Sequence, residues 1–226
     1  MYASEVKQCL IQKGMDSLFH VNSVVTALTY INNGGLLSRG TVDDWELEQT
    51  KQITDNSDKE LDIYYDIFFD SVDIHKRAKT LNKYGAVTFV FSLDVLDELE
   101  EYEVLITKDN PKRWTTDMEV TEKHFTSSSE IINEFVVGNF SQHITVIKPI
   151  KAISFDFLEF IIIDSPPDSN DPVFVDALFS LKDALSQNRY ENIKMLIRNC
   201  PTDCKCQAEY ANHLPGYIYH RFKTKL

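Results

Sequence analysis

An α+β domain is the fold class that this sequence predicts. Three observations lead there. Six short apolar or β-branched runs read as strands, interspersed with helical segments in an irregular order. Neither a G-x-G-x-x-G turn nor a Walker loop is present, so a doubly wound nucleotide fold is not expected. Hydrophobic residues are 43% of the 226, with only 7 Gly and 7 Pro, which supplies a sizeable core and excludes a fibrous or loop-dominated chain.

The elements follow in order. Tyr2 to Lys13 reads as a helix with Val6, Cys9 and Leu10 inward, ended by Gly14. Leu18 to Val21 is a buried strand with one polar residue, His20. Asn22 or Ser23 caps the next helix, because their side-chain oxygens accept from amides two or three residues on. Its apolar face is Val24, Leu28 and Ile31, and Gly34-Gly35 stops it. Residues 41–62 are polar without clear periodicity, a surface excursion suited to covering a site. The aromatic run Tyr64 to Asp73 returns the chain to the core. Ala86 to Leu93 is a strand buried on both faces, followed by a helical turn at Asp94 to Leu99 and a strand at Glu103 to Thr107. Asp109-Asn-Pro-Lys is turn chemistry.

Beyond the turn, Ser127 caps a helix ending at Gly138. Gln142 to Lys148 and Leu158 to Asp164 are strands, and Asp171 caps a helix that has Pro172 at its first position and runs to about Gln187. The pattern then predicts a second helix over Tyr190 to Arg198, a last strand over Lys205 to Ala211, and a tail. No internal repeat or linker divides residues 1–226, which are expected to form one domain. No run approaches the ~20 apolar residues of a membrane span, and Met1 to Lys13 lacks a signal-peptide apolar block. The expectation is a soluble, cytoplasmic protein without a membrane partner.

The formal net charge of -12 repels polyanions at long range and argues against a protein that simply coats nucleic acid. Local cations are nevertheless grouped: Lys76, Arg77, Lys79 and Lys83; Lys108, Lys112 and Arg113; Arg221, Lys223 and Lys225. Each group is either a solvated face or part of an anion site. Cys200, Cys204 and Cys206 form C-x3-C-x-C with His213 seven residues beyond. The C-x-C gap is shorter than zinc knuckles use, so these residues read as ordinary reduced thiols and no metal is expected.

Two polar residues lie within apolar strand-like runs, His20 and Glu209. A buried carboxylate must be paired, hydrogen-bonded or functional, whereas one on an edge strand faces solvent. The histidine either orients a ligand hydroxyl or is a satisfied core residue.

These residues carry a resemblance. Phe19-His-Val-Asn-Ser23 with Ile31-Asn-Asn-Gly-Gly-Leu-Leu-Ser38, followed late in the chain by Gln207-Ala-Glu209-Tyr and Leu214-Pro-Gly-Tyr-Ile218, resembles the DarT family of ADP-ribosyltransferase toxins. CmdT, a phage-defence toxin that modifies messenger RNA, is a relative. The resemblance spans both ends of the chain and implies an ADP-ribosyltransferase-like fold with two small packed β-sheets flanked by helices. It implies an enzyme that takes NAD as substrate, transfers ADP-ribose to a base of single-stranded DNA or RNA, and belongs to a toxin–antitoxin or phage-defence system. An antitoxin would be its partner, either a macrodomain hydrolase or an occluding protein.

Carried onto this sequence, Glu209 is the catalytic glutamate that stabilises the oxocarbenium-like transition state. His20 contacts the NAD ribose, with Asn22 or Ser23 nearby, and Gly34, Gly35 and Leu36 form the floor under the dinucleotide. Arg39 is a candidate for the NAD phosphates. The family's essential arginine follows an aromatic-rich segment, and here the sequence departs from the motif. Arg77 is the choice, with His75 its rival. Lys76 to Lys83 with Tyr84, or Lys108 to Trp114, would supply cations and a stacking ring for the acceptor. A protein acceptor, an RNA 2′-phosphotransferase and a non-enzymatic binding module are the competing readings.

Overall fold

A computed structural model describes residues 1–78, 80–201, 203–213 and 216–226. In chain order the elements are α1 (Ala3–Gln12), β1 (Ser17–Asn22), α2 (Val24–Asn32), β2 (Gly35–Leu36), α3 (Arg39–Asp44), α4 (Asp55–Glu60), β3 (Ile67–Phe69) and α5 (Ile74–Ala78). Then come β4 (Val87–Ser92), β5 (Val104–Thr107), α6 (Val120–Lys123), β6 (His124–Phe125), α7 (Ser128–Glu134), β7 (Ile144–Val146) and β8 (Ile153–Ser154). The chain closes with β9 (Leu158–Asp164), α8 (Pro172–Gln187), β10 (Lys194–Arg198), α9 (Lys205–Asn212) and α10 (Tyr217–Phe222).

Two four-stranded sheets form the frame, in the orders β1-β4-β9-β10 and β3-β7-β5-β6, with a small β2-β8 pair beside them. This is the expected α+β arrangement of two small sheets flanked by helices. The first sheet is antiparallel except for its last pair, where β10 runs parallel to β9. Its centre is β4, where Val87 to Phe91 are all buried, as a nearly continuous apolar run requires. The sheets are stitched where Phe19 and Asp70 exchange backbone hydrogen bonds of 3.0 and 2.8 Å. Phe69, Phe91, Phe89 and Phe155 then pack ring on ring across the seam. Helices α2 and α8 pack together, as do α1 and α7. No helix among the described residues is long and apolar enough to cross a membrane.

Local chemistry sets most boundaries as expected. Ser23 caps α2 by accepting from the Thr26 amide, and Asp171 caps α8 ahead of Pro172. Val6, Cys9 and Leu10 are buried on α1.

Four segments differ from expectation. Tyr190 to Arg198 is not a helix: Arg189 takes φ 65° and breaks the chain, and residues 194–198 pair with β9 as an edge strand. Its β-branched and aliphatic side chains satisfy the neighbouring strand's open edge, which outweighs weak helical spacing. Lys205 to Ala211 is not a strand but helix α9, where Cys206 and Tyr210, four apart, are the buried pair. The supposed tail holds α10, with Arg221 and Phe222 buried. Residues 41–62 are ordered as α3 and α4, with Val42 and Gln49 buried, rather than an unstructured excursion.

Arg221 explains why the tail is ordered. Its guanidinium donates to the carbonyls of Asn82 and Gly85 and to the Asp164 carboxylate. Arg198 donates from Nε to the other Asp164 oxygen at 2.7 Å and from both terminal nitrogens to Asp73. Arg221 is therefore a buried structural residue and not part of a solvated cationic face. Asp164→Asn would leave a buried guanidinium without its counter-charge, and breaking such a pair costs about 3–5 kcal/mol. Urea denaturation is expected to show that loss; an unchanged midpoint would mean that water compensates the arginines.

Candidate active site

One pocket holds much of the polar chemistry of the N-terminal half. It is a cavity of about 160 Å³ that opens to solvent. His20, Asn22 and Tyr30 lie at its base. Leu37, Ser38 and Arg39 form one wall with Gln52, Thr54 and Asp58. Asp66, Phe68, Asp70 and His143 contribute another, while Tyr84 and Asn110 to Lys112 complete the lining.

His20 reaches the pocket because strand β1 is pinned on both edges. It pairs with β4 in a register that places His20 opposite Phe89, while neighbouring Phe19 bridges to Asp70. The imidazole is set between the Tyr30 and Phe69 rings, with centroids 5.8 and 6.0 Å away. Its Nδ1 lies 2.9 Å from the Phe68 carbonyl oxygen. A carbonyl only accepts, so Nδ1 carries the proton and Nε2 presents a lone pair. Burial pushes the His20 pKa down, which keeps the ring neutral. Nε2 is buried and has no hydrogen-bond partner among the described residues. A fixed acceptor of this kind suits a ligand hydroxyl.

Arg39 opens α3, just after the Ser38 N-cap. Asp55 holds its Nε and Nη2 at 2.6 and 2.9 Å, and the Thr50 carbonyl accepts from Nη2 as well. Nη1 is buried and without a partner among the described residues. Three fixed contacts thus hold the arginine, which lines the same pocket as the neutral histidine acceptor, with one donor unsatisfied. Leaving a buried polar group unpaired costs about 1–3 kcal/mol, and a ligand that satisfies both groups recovers that cost.

The other candidates fall into separate roles. Asn22 donates to the Tyr30 hydroxyl at 3.2 Å and accepts from the Ser23 amide, so it braces the pocket base. Burial raises the Tyr30 pKa to about 12, keeping the phenol neutral. Ser23 caps α2, bonds to the Thr50 hydroxyl at 2.7 Å and does not line the pocket. Gly35 and Leu36 are buried in the β2–β8 pair rather than exposed as a pocket floor. A Cβ on Gly35 would meet the Ile153 carbonyl oxygen at 2.2 Å, so the glycine serves strand packing. The segment's contribution to the pocket comes one to three residues later, from Leu37 to Arg39.

His75, Arg77 and Glu209 are not among the pocket-lining residues. His75 turns instead toward Cys200 and Cys204. Arg77 lies over the Phe140 ring beside Gly138, and its Nε has no partner among the described residues. Glu209, on α9, accepts from the Leu81 amide at 2.6 Å. That contact ties it to the 81–85 segment carrying Tyr84. Gly85 lets this segment lie against the end of β1, since a Cβ there would meet the Asn22 carbonyl at 2.1 Å. Leu214 and Pro215 of the late motif, and Lys79 of the first cationic group, lie outside the described residues.

Around the pocket, Tyr84 and Lys112 are exposed, whereas Trp114 is buried against His124 and offers no free stacking face. Lys108 is paired with Glu130 and Arg113 with Asp109.

Sequence reasoning missed the acidic wall. Asp70 lies 3.4 Å from His143 Nδ1. Asp66 is buried, accepts from the Lys148 amide at 3.1 Å, and has its pKa raised to about 7 chiefly by desolvation. Its signal was present as acids spaced through the aromatic run Tyr64 to Asp73, but spacing alone did not reveal which way they face.

No protein-family model matches the sequence, and no curated protein matches it. Among solved structures, three complexes of DarT from Thermus sp. 2.9 are similar. The complex with ADP-ribosylated ssDNA is 12% identical, with 82% of this chain and 95% of that one covered, at a TM-score of 0.47. The NAD+ and carba-NAD+ complexes are each 11% identical, with 81% of this chain and 95% of theirs covered, at 0.46 and 0.44.

Asp66 provides a pH test of the pocket. Its ordinary value is 3.8 and its folded value about 7, so between these limits the folded chain retains a proton that the unfolded chain loses. Stability from this group therefore falls as pH rises through that window. Asp66→Asn keeps an acceptor for Lys148 and removes the ionisation. Its melting temperature should gain on the parent protein as pH rises from about 4 to about 7 and hold level above that. Parallel melts across that range check it; a constant difference would overturn the buried assignment.

Proposed function

We propose that this protein is an NAD-dependent ADP-ribosyltransferase that modifies a base of single-stranded nucleic acid. What carries the reading is the unsatisfied pair at one pocket: the His20 Nε2 acceptor and the Arg39 Nη1 donor, both fixed by other contacts. A dinucleotide offers the complementary groups, ribose hydroxyls for the histidine and a pyrophosphate for the arginine. The sequence resemblance through Phe19 to Ser38 and Gln207 to Glu209 supplies the family, and with it the toxin role and an antitoxin partner.

In this reaction the bond from ribose C1′ to the nicotinamide nitrogen breaks, and nicotinamide leaves with the bonding electrons. The base nitrogen forms the new bond to C1′ and gives up a proton. A carboxylate is needed to stabilise the cationic ribose and to accept that proton. Glu209 takes this role on the resemblance, which requires it to exchange its Leu81 amide for the substrate. Asp66 is the alternative, favoured by its position on the pocket wall and its raised pKa. Tyr84 offers an exposed ring on which an unpaired base can stack, and Lys112 a cation for the backbone. Such a local patch reconciles nucleic-acid binding with a net charge of -12.

Labelled NAD incubated with separate pools of single-stranded DNA, RNA and protein tests the proposal. Label is expected on nucleic acid, with release of nicotinamide. Label on protein alone would overturn the acceptor, and absence of NAD binding by calorimetry would overturn the enzyme. Glu209→Gln should lower turnover by about 10²–10³-fold with its melting temperature retained, whereas His20→Ala and Arg39→Ala should weaken NAD binding. If Asp66→Asn shows the large turnover loss and Glu209→Gln does not, the carboxylate assignment passes to Asp66.

A further inference from the structure

Away from the pocket, His75, Cys200, Cys204 and Cys206 converge. One donor atom from each lies within 4.8 Å of all the others. His75 Nε2 is 3.1 Å from the Cys200 sulfur and 3.8 Å from that of Cys204, and the Cys204 and Cys206 sulfurs are 3.2 Å apart. In a tetrahedral Cys3His zinc site, bonds of about 2.3 Å to sulfur and 2.0–2.1 Å to nitrogen set donor separations of roughly 3.6–3.8 Å. The separations of 3.1, 3.2 and 3.8 Å and the 4.8 Å limit on the whole set bracket that spacing. The 3.2 Å sulfur separation is well beyond the ~2.05 Å of a disulfide.

We propose that these four residues bind one structural zinc ion. The sequence alone pointed away from this because the C-x-C gap is shorter than zinc knuckles use, with His213 the histidine nearest in sequence; the fourth donor instead comes from helix α5, more than a hundred residues earlier. Binding releases three thiol protons to solvent, and the three thiolates and the neutral imidazole close the coordination sphere. No position is left for a substrate, so the ion is a staple. It joins α5 to the segment that opens α9, the helix on which Glu209 follows Cys206 by three residues. The buried framework supports the same junction. Arg198, two residues before Cys200, donates to Asp73, two residues before His75, at 2.7 and 3.1 Å. Both limbs of the site are thus held together independently of the ion.

This inference stands apart from the NAD reading, because its readout is metal content. The full chain, purified under reducing conditions and desalted, is analysed by native mass spectrometry and elemental analysis. One zinc per chain is expected. It should be released when a mercurial titrates the thiols. After removal of zinc, Co2+ alone should produce the intense ligand-field bands of a tetrahedral, sulfur-rich site. Cys200→Ser, Cys204→Ser and His75→Ala should each reduce zinc to background, while Cys9→Ser retains it. Because a ligand variant can fail to fold, the Co2+ spectrum of the parent chain decides independently. A chain that carries no zinc and gives no tetrahedral Co2+ spectrum would overturn the proposal. So would a mass lower by two hydrogens under these conditions, the mark of a disulfide among the cysteines.

Discussion

Asp164 accepts hydrogen bonds from two arginines, one on the edge strand beside it and one on the last helix. Arg198 continues to Asp73 ahead of α5, and Arg221 continues to the carbonyls of Asn82 and Gly85. Two carboxylates and two guanidiniums balance in charge. Taking them out of water is costly, so the network's net contribution to stability is modest compared with the cost of breaking it. Its larger effect is geometric. It closes the end of the first sheet, pins the C-terminal helix and fixes the loop between α5 and β4.

Both proposed sites depend on that loop. Arg221 holds its backbone at Asn82 and Gly85, and between these residues stands Tyr84, which lines the pocket. Gly85 permits the close approach to Asn22, whose side chain braces Tyr30 beneath His20. On the other side, the Asp73–Arg198 pair aligns the two limbs that bring His75 to the cysteines. Glu209 sits between the two systems: its helix begins at the cysteine cluster and its carboxylate is bound to Leu81. The pocket and the cysteine cluster are therefore not mechanically independent, even though they share no ligand residue.

What could be read from the sequence was local. The β1–α2 unit, its serine cap, the doubly buried β4 and the proline-started α8 are each dictated by residues within a few positions of one another. The polar exception in that pattern, His20, led to the pocket for the same reason. Elements fixed by partners distant in sequence were misread. Residues 194–198 are a strand because β9 offers an unpaired edge, and no local signal announces that edge. Helix α9 was hidden because a run of alternating polarity over seven residues fits both periods, and only the burial of Cys206 with Tyr210 separates them. The tail is ordered by Arg221 meeting an aspartate 57 residues away. The same limit applied to Asp66, whose side-chain direction depends on the pairing of β3 with β7.

In the proposed reaction two partners would compete for the Glu209 carboxylate. The Leu81 amide is a fixed donor at 2.6 Å. A transition state that develops positive charge attracts a carboxylate electrostatically, which the single neutral dipole of the Leu81 amide does not match in a site that excludes water. Exchange of partners would then couple the chemistry to the 81–85 segment, since releasing Leu81 loosens the segment that carries the stacking tyrosine. On this argument the amide is a holding position for the carboxylate. An ion fixing the start of α9 would limit how far Glu209 moves and in what direction, so the two proposals meet in that helix.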